Sequence, residues 1–395
     1  MLNMKTRNQT VRLATIAISA VLITSACGSD NTTEATTSSI DEIPFVTTEE
    51  LKEITDADLE VEEASTGEPV TTIKSGRANT SIYRGYIATL DRDEKVLEAA
   101  APQPKTTDGT YPLTGLGGDS PARPAAVVKI DNGPGSSPQT GLDKADIVYE
   151  EPVEGGVTRF AAVFHSQATE VGPVRSGRTT DIGILNGFDN PLYLYSGANA
   201  VTDSLLRNQE TVQNRNAATS SGYWRNKTRR APSNLYSDLS RHWASSDKTE
   251  PPAQFEYRSA NESAEGTKAD SIQINYRANN VAWEWDGTSY LRSQKSKPHT
   301  AANGKQLEAK NVVVVETEEK ATGMVDGSGA TVPEYIFVGS NKATVFTDGK
   351  KIEGTWTRPS LADAATLTTS SGEVIELTAG QTWVEVIAEG SGILK

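Results

Sequence analysis

Cysteine and histidine are scarce in this chain. Cys27 is the only cysteine among 395 residues, which excludes intramolecular disulfide bonds and any metal site built from several cysteines. The three histidines, His165, His242 and His299, are far apart in sequence. We interpret each of them as a surface or structural residue and expect no zinc site.

Several familiar signatures are also missing. The sequence has no Gly-x-Ser-x-Gly elbow, no His-Glu-x-x-His motif and no glycine fingerprint after a strand, so it identifies no common class of enzyme. Basic residues are outnumbered, with a formal net charge of -14. Since nucleic-acid binding depends on a basic surface, we exclude it as a function.

What the chain does have is an export signal. Lys5, Arg7 and Arg12 precede an uncharged apolar run, LATIAISAVLI at 13–23, as in a signal peptide. The run is well short of the roughly 20 residues that a membrane-spanning helix needs. Residues 23–28, ITSACG, resemble a lipobox, with Thr24 in place of the usual leucine. We therefore predict a signal peptide over 1–26, followed by lipidation of Cys27 with fatty acids such as palmitate.

The predicted product is a lipid-anchored protein on the extracytoplasmic face of the cell membrane. Residues 28–66 contain twelve acids and one base, and large apolar residues are few up to about residue 110. Such a composition cannot repay the entropy of ordering. We predict a largely disordered acidic tether over 27–114.

The rest of the chain predicts an α+β protein, with an N-terminal mixed α/β domain and a mainly β C-terminal domain. Over 115–245, apolar runs such as AAVVKI at 125–130 and TRFAAVF at 158–164 predict strands, and 181–188 and 200–207 have helical spacing. Residues 246–270 are polar and predict a linker or long loop. Over 271–392, short strands alternate with glycine turns, which is typical of hairpins, and we predict tight turns at Asp286-Gly287, Asp348-Gly349 and Ser371-Gly372.

The densest polar stretch is 145–180. Three glutamates follow a predicted strand, and three arginines come after them: Glu150, Glu151, Glu154, Arg159, Arg175 and Arg178. The planar forks of the arginines could clamp a phosphate or carboxylate group. They could equally pair with the glutamates across adjacent strands, so an anion site and a structural ion-pair network both stay open.

Asp131 and Asn132 form a second candidate, because they end a predicted strand and enter a glycine-rich loop. Strand ends often hold ligands in open α/β sheets, although the loop lacks the ending of a phosphate-binding P-loop. A plain turn is the alternative. The predicted ligand-binding set is Asp131, Asn132, Glu150, Glu154, Arg159, Arg175 and Arg178; no catalytic residue and no metal ligand is assigned.

Aromatic residues are concentrated in the C-terminal half. They are Trp283, Trp285, Tyr290, Trp356 and Trp383. A sheet face lined with tryptophan and tyrosine can stack on sugars, but such residues also fill small β cores. Both interpretations remain open at this stage.

Several motifs resemble, in order, the YerB-like family of bacterial lipoproteins. They include RPAAVVKIDN at 123–132, VGPVRSGR at 171–178 and YRANNVAWEWDGTSYLR at 276–292, and the resemblance covers about 120–390. It implies two domains of unknown function and an envelope lipoprotein of monoderm bacteria. This chain has Gly177 where the family commonly has alanine, and Ser233 where the family has the histidine of a Pro-His-Asn element.

A shorter stretch resembles the LytR-CpsA-Psr phosphotransferases. An Ala-Asp pair stands before a strand, and a Pro-x-Arg stands at the end of a later one. This resemblance implies that Arg175 and Arg178 would hold a lipid pyrophosphate. It further implies that Asp131 or Asp146 would lie near a divalent cation.

Three hypotheses for function follow. The first is an envelope lipoprotein that binds an anionic cell-wall precursor or polymer through an arginine-rich cleft. The second is a phosphotransferase that acts on polymers linked to a lipid pyrophosphate, with a divalent cation as cofactor. The third is an envelope scaffold that recruits a protein partner. Whether the protein is an enzyme is not settled by the sequence.

Overall fold

The computed structural model describes residues 102–326 and 329–394, all within one compact unit, Arg77–Lys395. The predicted signal peptide, Cys27 and most of the predicted tether lie outside these residues. The strands of the first half are β1 Ala126–Asp131, β2 Ile147–Pro152, β3 Thr158–Phe164, β4 Glu170–Val171, β5 Leu192–Tyr195, β6 Gln213–Asn216, β7 Tyr223–Arg225 and β8 Leu235–Asp238. Its helices are α1 Thr180–Leu185, α2 Ala200–Arg207 and α3 Leu239–Trp243.

The second half of the described chain forms strands. They are β9 Thr267–Lys268, β10 Ser271–Asn275, β11 Asn280–Trp285, β12 Tyr290–Gln294, β13 Lys297–Pro298, β14 Glu308–Ala309, β15 Asn311–Thr317, β16 Glu319–Val325, β17 Thr331–Tyr335, β18 Gly339–Thr347, β19 Lys350–Arg358, β20 Thr366–Thr368 and β21 Thr382–Ala388. The predicted turn at Asp348-Gly349 joins β18 to β19, and both of its residues have positive φ.

One large mixed sheet organises these elements. Its main path is β20-β19-β18-β15-β21-β2-β3-β1-β5-β6. The last strand, β21, runs parallel to both β15 and β2 and so joins strands from the two halves of the chain. A smaller sheet contains β10 to β14, and β16 pairs with β17 as a separate hairpin.

The two faces of the large sheet carry different cores. One face packs against α1 and α2, and we call it the helix face; the other packs against the smaller sheet, and we call it the sheet face. Successive side chains of a strand point to opposite faces, so Val127 belongs to the helix-face core and Val128 to the sheet-face core.

The structure is mainly β, which revises the predicted α+β class. The helices are short, at six, eight and five residues for α1, α2 and α3. The prediction for 200–207 is confirmed as α2, whereas 181–188 becomes the short α1 followed by a 3-10 turn. The N-terminal part therefore has less helix than the periodicity indicated, because the apolar side chains of 181–188 are held by packing on the sheet.

Two predicted boundaries also differ from the structure. The end of the predicted tether packs on the body: Leu113 is fully buried, and the side chain of Gln103 accepts a hydrogen bond from the Ala364 amide at 2.8 Å. In the predicted linker, Phe255 is buried in the helix-face core. The division into two domains stays a prediction about the sequence, since strands from both ranges share one sheet.

The aromatic side chains of the second half mostly fill the cores. Trp283, Tyr290 and Trp383 are completely buried, and Trp356 is nearly so. The ring of Trp383 meets those of Trp283 and Phe160 edge to face, at 5.1 and 5.4 Å between centroids. These rings therefore form no exposed platform for sugars, which corrects that interpretation.

A buried carboxyl group lies on β21, the strand that joins the two halves of the chain. Glu385 of β21 accepts hydrogen bonds from the Trp283 indole and the Tyr276 hydroxyl, both at 2.9 Å. Burial, reinforced by the charge of nearby Glu150, raises the pKa of Glu385 from 4.5 to about 8. The native state therefore holds this proton more tightly than the unfolded state does.

We expect Glu385→Gln to flatten the pH dependence of stability. The stabilisation from protonated Glu385 is fully present below pH 4.5 and is lost as the pH rises through about 8. The neutral amide imitates the protonated carboxyl group, so at pH 5 the variant should lie within about 1 kcal/mol of wild type. At pH 9 it should be the more stable of the two.

Urea unfolding at the two pH values measures this difference. Glu389→Gln, on an exposed residue just after β21, is the control for loss of a glutamate. A stability difference between wild type and Glu385→Gln that is equal at pH 5 and pH 9 would contradict the assignment.

Candidate functional site

Three strand and loop segments bring the predicted arginines together on the helix face. Asp131, at the end of β1, lies directly opposite Arg159 of β3 in the antiparallel register. The loop after β4 returns to β1, where the Arg175 amide donates a hydrogen bond to the Lys129 carbonyl at 2.8 Å. Arg178 follows three residues later, just before α1.

Two of these arginines share one carboxylate. Arg178 donates from Nε to Glu154 Oε2 at 2.7 Å, and its NH2 group contacts Oε1 of the same side chain. Arg159 NH2 donates to that Oε1 at 3.2 Å. One further donor of each arginine reaches a backbone carbonyl: Arg159 NH1 donates to Ser176 and Arg178 NH1 donates to Gly177, each at 2.7 Å.

The charges of this group shift its pKa values in the expected directions. Burial opposes ionisation of Glu154, but the hydrogen bond from Arg178 and the charges of Arg159 and Arg178 outweigh it and lower the pKa. Burial, together with repulsion from Arg178, lowers the pKa of Arg159 to about 10. Glu154 and Arg159 are therefore both charged at neutral pH.

Arg175 differs from the other two. Its side chain is 30% exposed, and its Nε lies 3.4 Å from Asp131 Oδ2 without forming a hydrogen bond to any described residue. Asp131 is already occupied, because the Ser233 hydroxyl donates to Oδ2 at 2.7 Å and the Gly133 amide donates to Oδ1 at 3.0 Å. Arg175 is thus the most exposed of the three arginines, and its Nε donates to no described residue.

All three arginines line one cavity of about 400 Å3, which we call the arginine cleft. Its other walls come from α2, where Asn199 caps the helix, and from the hairpin β16–β17. The lining residues are Glu154, Arg159, Arg175, Ser176, Arg178, Ala198, Asn199, Val325, Asp326 and Val332. The cleft therefore combines positive charge with a short apolar wall.

Two members of the predicted set lie elsewhere. Glu150 and Asn132 point to the sheet face, where Glu150 pairs with Arg292 and accepts a hydrogen bond from Thr158 at 2.7 Å. Asn132 donates to Thr158 at 2.8 Å and exchanges hydrogen bonds with Gln294. The pleat of β2 separates Glu150 from the arginines, so these two residues belong to a buried structural network.

A second buried charge group on the helix face was missed by the sequence reasoning. Lys129 is completely buried, lies 2.7 Å from Asp181 and contacts Glu151, while the Tyr193 hydroxyl donates to Asp181 at 2.5 Å. Burial lowers the pKa of Lys129 to about 8 despite the charge of Asp181. A lysine within the apolar run AVVKID was the available signal.

The departures from the family pattern fall beside this site. Ser233, where the resemblance implies a histidine in the family, donates a hydrogen bond to Asp131. A methyl group at Gly177 would lie 2.8 Å from Leu206 Cδ1 and 2.9 Å from the Tyr193 hydroxyl. An alanine there would require this chain to move one of those side chains, since real contacts are not that short.

The histidines have local partners. His299 is buried between Arg292 and Gln139, with its Nε2 2.8 Å from Gln139 Oε1. His242 Nε2 lies 2.7 Å from the Ser237 hydroxyl, and His165 Nε2 lies 3.0 Å from the Pro121 carbonyl oxygen. All three histidines are buried. Their surroundings fit the interpretation as structural residues and not the alternative of a surface position.

Asp131 and Asp146, either of which the phosphotransferase resemblance would place near a divalent cation, are far from each other. Asp131 ends β1, whereas Asp146 precedes β2, which runs in the same direction, so they lie at opposite ends of the sheet. Asp146 accepts the amide of Ser166 at 2.9 Å and its hydroxyl at 2.5 Å. Over 102–326 and 329–394, no group of three or more acidic or histidine side chains is placed to hold a metal ion.

The arginine cleft presents guanidinium groups, which are common anion-binding groups. Guanidinium groups bind phosphate and carboxylate through paired hydrogen bonds, and Arg175 has donors available.

Within the part of the chain that the structure describes, no helix is long and apolar enough to cross a membrane. Cys27, the predicted lipidation site, lies outside that part.

Comparison with known proteins places the chain in a family. Residues 113–252 match the model "Protein of unknown function (DUF3048) N-terminal domain", and 272–384 match its C-terminal domain. The chain is 28% identical over 297 residues, 70% of its length, to the Bacillus subtilis (strain 168) protein described as "Putative lipoprotein YerB", of which 86% is covered.

The fold is similar to a solved structure. The crystal structure of the YerB protein from Bacillus subtilis superposes with a TM-score of 0.62 and 24% sequence identity, covering 72% of this chain and 98% of that one. The resemblance stated from the sequence motifs is thereby confirmed. The chain belongs to the YerB-like family, whose two domains have no known function.

Proposed function

We propose that this protein is an envelope lipoprotein, anchored through lipidated Cys27 on the extracytoplasmic side of the cell membrane, whose arginine cleft binds an anionic cell-wall precursor or polymer. The observation that carries the proposal is the state of Arg175. It lines the same cavity as Arg159 and Arg178, is partly exposed, and keeps donors that no described side chain uses.

The difference in contacts between Arg175 and the other two arginines supports anion binding. Arg159 and Arg178 are held by Glu154 and by backbone carbonyls, so they fix the shape and charge of the cleft. Such preorganised charges lose little freedom when an anion arrives. Arg175 is then positioned to make the direct contact.

The lipid anchor rests on the N-terminal sequence and on the relative's description as a lipoprotein. Two or more acyl chains give stable attachment to a membrane, at about 0.8 kcal/mol for each buried methylene. A tethered protein of this kind would meet wall precursors and polymers where they leave the membrane.

We expect Arg175→Ala to abolish anion binding with little effect on folding. Its only charged contact among the described residues is a partly exposed one at 3.4 Å, so the free energy of unfolding should change by less than about 1 kcal/mol. Arg178→Ala leaves buried Glu154 without its main partner and should cost about 3–5 kcal/mol. Arg207→Ala, on an exposed arginine of α2, is the matched control.

Thermal unfolding of the full-length chain in non-ionic detergent, with and without inorganic pyrophosphate, measures both effects. A ligand at 100 times its Kd stabilises the native state by about 2.7 kcal/mol. The proposal fails if pyrophosphate does not raise the Tm of wild type, or if Arg175→Ala keeps the full increase. A shift that requires Mg2+ would favour the phosphotransferase hypothesis instead.

We expect Cys27→Ser to remove the lipid anchor. Wild type should incorporate an alkyne analogue of palmitate and sediment with membranes, while the variant should do neither because it has no other thiol. Thr24→Leu, which restores the usual lipobox residue, should be labelled at least as well as wild type. Labelling that persists in Cys27→Ser would disprove lipidation at this residue.

A further inference from the structure

A second cavity lies beside the arginine cleft, and we call it the proline cavity. It has a volume of about 550 Å3. Its lining residues are Pro134, Gly135, Ser137, Pro138, Arg229, Arg230, Ala231, Pro232 and Ser233. Two arginines and no acid are among them, on a chain whose formal net charge is -14.

The floor of the proline cavity is held by Arg229. Its NH1 donates to the Pro138 carbonyl at 2.7 Å and to the Tyr236 hydroxyl at 2.8 Å, and its NH2 donates to the Gly135 carbonyl at 2.8 Å. All of these acceptors are neutral, so they fix the guanidinium without cancelling its charge. Arg230, the next residue, is exposed.

One carboxylate oxygen contacts a lining residue of each cavity. Asp131 Oδ2 accepts the Ser233 hydroxyl at 2.7 Å and lies 3.4 Å from Arg175 Nε. Ser233 lines the proline cavity, whereas Arg175 lines the arginine cleft. Five arginines and two acids, Glu154 and Asp326, therefore line two adjoining cavities.

We infer that the ligand is an extended polyanion that occupies both cavities, with one anionic group at Arg175 and another at the exposed Arg230, next to the fixed charge of Arg229. This inference rests on the proposed function and narrows it from any oxyanion to a linear chain of repeated negative charges. A small anion can satisfy Arg175 alone. Only a chain that crosses Asp131 can also use the positive charge of the proline cavity.

The physical consequence is a dependence of affinity on ligand length. When one group is bound at Arg175, the next group of the same chain is held near Arg230 at a high effective concentration. Each additional arginine contact also makes binding more sensitive to salt. A ligand with one or two phosphates gains neither advantage.

The test compares inorganic pyrophosphate with long-chain polyphosphate by calorimetric titration of the full-length protein in non-ionic detergent. We expect wild type to bind the long chain at least about tenfold more tightly than pyrophosphate. Arg230→Ala should lower affinity for the long chain about fivefold to tenfold and leave pyrophosphate unchanged. Arg230→Lys should keep most of the effect, because it keeps the charge.

Two controls separate the possible failures. Arg175→Ala should weaken both ligands, and Arg241→Ala, an exposed arginine outside both cavities, should weaken neither. The extended site is overturned if both ligands bind with equal affinity, or if Arg230→Ala leaves the length dependence intact. In either case, pyrophosphate binding that depends on Arg175 would leave the proposed function standing. If wild type binds neither ligand, the proposed function itself has failed.

Discussion

The insertion of the last strand into the middle of the large sheet is the constraint on which the rest of the structure depends. β21 pairs in parallel with β15 on one side and with β2 on the other. Without it, each half would present a long unpaired edge, which soluble proteins avoid. Its residues alternate between the two cores, with Trp383 on the sheet face and Val384 on the helix face. Both cores therefore need the end of the chain in place.

The two faces of the sheet use buried charge differently. On the sheet face, Arg292 is held by Glu150, Gln294 and His299, and its guanidinium lies 4.9 Å from the centre of the Trp383 ring. Every part of that group is enclosed by protein. On the helix face, the arginines near Glu154 open into a cavity. Arg292 is completely buried, whereas the Arg175 side chain is 30% exposed, so access to solvent distinguishes the arginine cleft from the buried network on the sheet face.

Much of the local structure could be predicted from the sequence. The apolar runs at 125–130 and 158–164 became β1 and β3, the bounds of α2 were correct, and the Asp348-Gly349 turn has the positive φ that its residues favour. The first hypothesis required Arg159, Arg175 and Arg178 to converge, and the three line one cavity. These features depend on neighbours in sequence or on short connections.

What could not be predicted depends on long-range pairing. Nothing in 382–388 reveals that this segment lies between β15 and β2. Strand alternation does place Glu150 and Glu151 on opposite faces, but which face receives the arginines is set by the register of β2 with β3. Ser233 and Arg229 contact Asp131 and the loop that follows it, although they are about 100 residues away in sequence. Their roles are therefore visible only in the fold.

The contact between Ser233 and Asp131 also bears on whether this member of the family binds or catalyses. Where the family commonly has a histidine, an imidazole beside a carboxylate could accept and release a proton near neutral pH. The hydroxyl of Ser233 can donate a hydrogen bond to Asp131 but cannot take up a proton in that range. Asp131 is in turn held by the Gly133 amide and faces Arg175. Ser233 therefore gives Asp131 a hydrogen bond without placing a base beside it that could take up a proton near neutral pH.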